Sequence, residues 1–171
     1  DMRVLVTGGC GYIGSSLVLY LLEDSRVSEV VVFDSLVAGS PANLAGSITN
    51  DLTFRRGDVR EYGDVESATR DVDAVIHLAA ITGAASTHDR RDETFAVNRD
   101  GTENVLTAAG KFDVDSVVVA SSCNNYGRAA STNIDEETPQ NPLNPYAESK
   151  VAAEGLLADA VDEYGFDGTA L

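Results

Sequence analysis

Short runs of mostly apolar residues recur along the chain, and between them apolar residues return at helical spacing. The runs Arg3–Thr7, Glu29–Asp34, Leu52–Arg55, Ala74–Ala79 and Ser116–Ser121 predict strands, with Gly168–Leu171 as the start of another. Tyr12–Glu23, the shorter Tyr62–Thr69 and the longer Thr94–Gly110 carry the helical period. Pro145 opens a further helix that runs to about Tyr164, because proline suits the first turn, where its missing N–H costs nothing. Asn133–Asn144 holds Pro139 and Pro142 among polar residues and is expected to be a loop. Strands that are apolar throughout, with helices between them, imply a parallel sheet buried on both faces. The expected fold class is therefore α/β, with helices on both sides of a doubly wound parallel sheet.

Composition narrows the setting. A chain of 171 residues that is 43% hydrophobic and 23% charged is one domain with a real core. The longest apolar run, Leu17–Leu22, is six residues, far short of the roughly 18 that span a bilayer. The first residues carry no basic, apolar leader pattern, so no membrane role and no secretion are expected. Cys10 and Cys123 are too few for a disulfide framework and lack metal-ligand spacing; a reducing cytoplasm and no metal are expected. A net charge of −16 excludes nucleic acid as a partner, since phosphate contacts need a basic footprint. The acids are dispersed and the only lysines are Lys111 and Lys150, which suggests a surface adapted to high salt.

Thr7-Gly8-Gly9-Cys10-Gly11-Tyr12-Ile13-Gly14 lies between the first strand and the first helix. Gly8, Gly11 and Gly14 have G-x-x-G-x-x-G spacing, a variant of the dinucleotide fingerprint. Glycine lets main-chain amides approach a pyrophosphate at a helix N-terminus, where the dipole favours an anion. Asp34 closes the second strand, where a carboxylate accepts hydrogen bonds from the adenosine ribose. The same acid repels a 2′-phosphate, which favours NAD over NADP. The sheet is thereby expected to be of Rossmann type.

Tyr146-Ala-Glu-Ser-Lys150 stands at the start of the helix opened by Pro145, and i, i+4 spacing puts phenol and ammonium on one face. A phenol titrates near pH 10 and is a poor base at neutrality; a neighbouring cation favours the phenolate. Ser122 follows the fifth strand, at the carboxyl end where ligands of parallel sheets sit. His77 reads as structural, His88 as a surface residue, Cys10 as small packing, and Glu136 and Glu137 as solvated. Cys123 has no histidine at hand and is not expected to act as a nucleophile.

Thr7–Gly14, Asp34, Gly57-Asp58-Val59, His77–Ala80, Asn98–Thr102, Ser121–Gly127 and Tyr146–Lys150 together resemble the extended short-chain dehydrogenase/reductase family. The run Asp34–Ser40 and the later Asn43-Leu44 are most similar to its nucleotide-sugar epimerases of the UDP-glucose 4-epimerase type. The resemblance implies that Gly8, Gly11, Tyr12, Ile13 and Gly14 line the pyrophosphate, with Asp34 and Ser35 on the adenosine ribose. It puts Asp58 and Val59 at the adenine, Leu78, Ala79 and Ala80 beneath the cofactor, and Asn98 where it supports the sheet and an active-site water. Thr82 stands where several relatives have lysine, so no contact is carried over there. Ser122, Tyr146 and Lys150 match the catalytic set, the last two also meeting the NAD.

The implied activity is transient oxidation of a UDP-sugar to a keto sugar, with Tyr146 as acid and base, in a homodimer. Alternatives within the family are a nucleotide-sugar reductase or dehydratase; outside it, a non-catalytic NAD-binding sensor. Related dehydratases place Asp-Glu directly after the catalytic Ser/Thr, and related decarboxylases often a glutamate. Here Cys123-Asn124 stand instead, and neither supplies a carboxylic acid. Family chains continue into a smaller C-terminal region that binds most of the sugar nucleotide. Residues 1–171 are accordingly expected to be the NAD-binding domain of a longer chain, with the activity belonging to the intact protein.

Overall fold

Successive residues of a strand point to opposite faces, and in the central strands here both directions end in apolar cover. The computed structural model describes residues 1–129 and 132–171. Strands β1 (Met2–Thr7), β2 (Val27–Asp34), β3 (Leu52–Arg56), β4 (Ala74–His77), β5 (Ser116–Val119) and β6 (Asp167–Ala170) form one sheet. Their order is β3-β2-β1-β4-β5-β6 and every pair is parallel. Helices α1 (Tyr12–Glu23), α2 (Tyr62–Thr69), α3 (Arg91–Phe95), α4 (Gly101–Lys111) and α5 (Pro145–Tyr164) lie between the strands.

Leu5, Val31, Phe33, Val75 and Val117 bury themselves on one face with Val65, Val105, Leu106 and Leu157 from α2, α4 and α5. Val4, Val6, Val30 and Val32 turn the other way, onto Val18 of α1. Burying each such side chain is worth about 1.5–3 kcal/mol, while buried polar strand residues such as Thr7 and His77 are hydrogen-bonded. The strand order reverses between β1 and β4, and the crevice at their carboxyl ends is the natural ligand position.

Several boundaries differ from the sequence reading. β4 ends at His77; the amide of Leu78 is shared between Thr7 O at 3.1 Å and Thr7 Oγ1 at 3.2 Å, and that of Ala79 goes to Thr7 Oγ1 at 3.2 Å. β5 ends at Val119, just before the carbonyl of Ala120 is taken by a side chain. The single helix expected over Thr94–Gly110 is instead α3, a π-helical turn over Ala96–Asp100, and α4. Gly101 N–H donates to Ala96 O, five residues back, so the helix is widened by one residue there. A 3₁₀ helix over Pro41–Ser47, capped by Ser40, and another over Cys123–Tyr126 were not anticipated.

Candidate active site

The turn from β1 into α1 is main chain with its side chains pared away. Gly8 has φ +71°, and a Cβ there would lie 2.8 Å from Ala79 N. A Cβ on Gly14 would lie 2.2 Å from Gly8 O and 2.7 Å from Gly9 Cα, so the first turn of α1 can press against the loop only because both are glycine. Gly11 caps α1 without a side-chain hydrogen bond, and no acid stands in the first turn. The positive end of the helix is thus left for an anion. Tyr12 and Ile13 project from it, 94% and 67% exposed.

Asp34 is buried at the end of β2, where its Oδ2 accepts Cys10 N–H at 2.9 Å and its Oδ1 accepts Leu36 N–H at 2.8 Å. Each oxygen keeps acceptor capacity for a ribose hydroxyl. Ser35 beside it is half-buried. Burial, and secondarily the Asp34 charge, pushes the Cys10 thiol up to about 11, which fits packing rather than reactivity. Asp58 is gripped by Arg60, with Nη2 to Oδ2 at 2.6 Å, which lowers its carboxyl below the ordinary range. Val59 sends its side chain into the core. These features fit a dinucleotide: a bare anion seat, then a fixed carboxylate twenty residues on from Gly14.

At the other side of the crevice the candidate groups are side chains. Tyr146 and Lys150 are both buried on α5, whose start is fixed by Asn144 Oδ1 accepting Ala147 N–H at 2.9 Å. Lys150 Nζ donates to Ala120 O at 2.8 Å and lies 5.9 Å from the Tyr146 ring centroid. Desolvation lowers the Lys150 ammonium from 10.5 to about 8. Ser122 Oγ accepts the main-chain N–H of Asn124 at 3.2 Å and its Nδ2 at 3.1 Å. Both lone pairs are then occupied, and the hydroxyl proton is what Ser122 has to offer a ligand.

Asn98 sits on the π-helical turn and is buried, its side chain spent on protein: Nδ2 donates to Ile81 O at 2.9 Å and Ser149 Oγ at 3.0 Å. Its Oδ1 accepts Ile81 N–H at 2.8 Å. It therefore ties the chain after Leu78, Ala79 and Ala80, all half-buried, to the residue beside Lys150. The widened turn is what carries Asn98 inward.

His77 is structural, as its place at a strand end suggested. Thr102 Oγ1 donates to Asn98 O at 2.6 Å, so it accepts from His77 Nε2 at 3.0 Å. Nδ1 is then the acceptor of the Thr7 hydroxyl at 2.6 Å. Burial, and next the Lys150 charge, holds the imidazole neutral, with its pKa lowered to about 3. His88, Thr82, Cys123, Glu136 and Glu137 are exposed. Among the described residues no group of three or more His, Cys, Asp or Glu could hold a metal ion, and no helix is long and apolar enough to cross a membrane.

Residues 4–171 match the model of the NAD dependent epimerase/dehydratase family. The chain is 37% identical over 166 residues to a UDP-glucose 4-epimerase of Halalkalibacterium halodurans, covering 96% of this chain and 48% of the relative. The UDP-glucose 4-epimerase of Thermus thermophilus, solved in complex with NAD, superposes with a TM-score of 0.89 at 34% identity, over 99% of this chain and 54% of that one. DesIV, a dTDP-glucose 4,6-dehydratase of Streptomyces venezuelae solved with NAD bound, gives 0.94 at 36% identity, over 99% and 54%. The chain spans about half the length of the curated relatives it matches.

Proposed function

Because the chain belongs to the NAD-dependent epimerase/dehydratase family, we propose that its intact protein is a nucleotide-sugar 4-epimerase acting on UDP-sugars, and that residues 1–171 are its cofactor domain. When bound, NAD supplies a reversible hydride acceptor for the sugar carbon. Gly8, Gly11, Tyr12, Ile13 and Gly14 would hold its pyrophosphate, Asp34 and Ser35 its adenosine ribose, Asp58 and the Val59 main chain its adenine, with Leu78, Ala79 and Ala80 beneath it. The buried Asn98 supports that floor from behind.

The residues of the chain divide the proton chemistry. Tyr146 takes the proton of the sugar 4-hydroxyl as that carbon is oxidised and returns it when the keto sugar is reduced on its other face. Ser122 donates its hydroxyl proton to the same sugar oxygen. Lys150 has ammonium donors beyond the one given to Ala120 O, and these would reach ribose hydroxyls.

The observation that carries epimerisation over dehydration is Asn124. A carboxamide follows Cys123 where related dehydratases have carboxylic acids, and its Nδ2, like the Asn124 main-chain N–H, donates to Ser122 Oγ. Loss of water needs a proton donor to the departing hydroxyl, which Cys123 and Asn124 do not supply. The reading extends to a homodimer on the family resemblance and to the cytoplasm on cysteine usage, and the charge of −16 supports a salt-adapted surface.

The test uses the full-length protein with UDP-glucose and UDP-galactose. Their interconversion without net NADH is expected, and Tyr146→Phe should lower kcat at least about 100-fold while bound NAD is retained. Release of a 4-keto-6-deoxy sugar, or wild-type turnover by Tyr146→Phe, would overturn the proposal.

A further inference from the structure

Tyr146, Lys150 and Glu154 follow at intervals of four on α5 and so share one face. The first two carry the proposed chemistry; Glu154 has no part in it. Its half-buried carboxylate nonetheless collects donors from three separate segments. Oε1 accepts the Ser121 hydroxyl, in a short contact, and Asn125 Nδ2 at 2.9 Å. Oε2 accepts Gln140 Nε2 from the proline-bearing loop at 2.5 Å. Asn125 Nδ2 also donates to Ser121 Oγ at 2.9 Å, closing a triangle of Ser121, Asn125 and Glu154.

Ser122 lies inside this arrangement. The residue before it is bound to Glu154 through Ser121, the one before that to Lys150 through Ala120 O, and the 3₁₀ turn after it to Glu154 through Asn125. Besides those ties Ser122 is held by its own cap on Asn124 and by main-chain bonds, Ser121 N–H to Leu171 O at 2.6 Å and Asn125 N–H to Ser122 O at 3.1 Å, none of which reaches α5. The placement of the Ser122 hydroxyl against the Tyr146 phenol thus runs through α5 side chains, with Lys150 holding Ala120 O and Glu154 holding both immediate flanks of Ser122.

We propose that Glu154 is a positioning residue that fixes Ser122 against Tyr146 by bonding both flanks of Ser122 to the helix that carries Tyr146. The inference rests on the catalytic reading of Ser122 and Tyr146. An error of about 1 Å between two groups that share one substrate oxygen costs on the order of 100-fold in rate.

The experiment is a double-mutant cycle on the full-length protein, read as kcat and KM for UDP-galactose together with NAD content. Glu154→Leu should lower kcat about 100-fold with KM changed less than about threefold and NAD retained. Combined with Ser122→Ala it should cost no more than Ser122→Ala alone, because there is then no hydroxyl to position. Glu154→Gln should recover most of kcat: its oxygen still accepts from Ser121 and Asn125, and the Gln140 amide can turn its own oxygen toward the new NH₂. Ser121→Ala breaks the same tie from the strand side without touching α5; its loss of about tenfold keeps the test decisive if Glu154→Leu does not fold. If Glu154→Leu and Ser121→Ala work at the wild-type rate, or multiply fully with Ser122→Ala, the inference fails while the catalytic reading stands. If Ser122→Ala itself works at the wild-type rate, the catalytic reading of Ser122 fails and takes this inference with it.

Discussion

At the β1–α1 turn the candidate surface is backbone, obtained by leaving side chains out; at the β5–α5 side it is side chains, placed by hydrogen bonds to main chain and to other side chains. Gly14 would put a Cβ 2.2 Å from a carbonyl oxygen, whereas Lys150, Asn98 and Glu154 reach their partners through hydrogen bonds. The difference sets how each region fails. A close-packed backbone has no rotamer to change, so the first region breaks steeply under added volume. Side-chain bonds can be lost singly, so the second loses rate in steps while the sheet beneath it persists.

The largest expected effect follows directly. Gly14→Val forces main chain apart at the anion seat and should cost about 3 kcal/mol or more of stability, with NAD binding lost. Urea unfolding and NAD titration of the purified protein measure both. A variant that kept its midpoint and its NAD would show that the loop yields, and the contrast between the regions would collapse.

Lys150→Met sharpens the contrast from the other side, because here a residue of the proposed catalytic set costs the fold stability. Burial holds the ammonium at about 8 against 10.5, so the unfolded chain binds that proton more tightly than the folded one. Stability from this group is therefore lowest below pH 8 and recovers as pH rises from 8 to 10.5, a span worth roughly 3 kcal/mol. Methionine removes the buried charge but also the bond to Ala120 O, leaving a gain of about 1–2 kcal/mol at pH 7. The variant should melt higher, lose turnover, and lack the alkaline rise of the wild type. A lower melting temperature at pH 7 would mean that Lys150 is a net structural asset.

These two regions were not equally legible in the sequence. Gly8, Gly11, Gly14 and Asp34 announce themselves, since a bare backbone needs glycine at fixed spacing and the ribose needs an acid at a strand end. The shared face of Tyr146 and Lys150 was legible from helical spacing, and the role proposed for them only from that spacing together with the glycine loop and Ser122. What holds them was not. The π-helical turn that carries Asn98 inward leaves no mark on an apolar period, and it interrupts the one helix expected over Thr94–Gly110. Glu154 could have been found, because it continues the i, i+4 stripe of Tyr146 and Lys150; its partners Ser121, Asn125 and Gln140 come from three other segments and are set by tertiary contact alone. The 3₁₀ helix over Pro41–Ser47 did have a local signal in Ser40-Pro41, a cap followed by proline.

The smallest effect compares the two caps that these regions own. Asn144 Oδ1 holds the first turn of α5, two residues before Tyr146, at 2.9 Å from Ala147 N. Ser40 Oγ holds the 3₁₀ helix at 3.3 Å from Ala42 N, beside no proposed catalytic group. Asn144→Ala should cost about 1 kcal/mol and Ser40→Ala less, its bond being long and exposed. The kinetic outcomes should separate further than the stabilities. A frayed first turn moves the Tyr146 phenol, so Asn144→Ala lowers kcat several-fold with NAD binding intact, while Ser40→Ala leaves kcat within error. Melting temperatures and full-length turnover on UDP-galactose give both numbers. Equal kinetic losses from the two caps would mean that fraying at α5 does not reach the phenol, and that the first turn is held by its packing rather than by its cap.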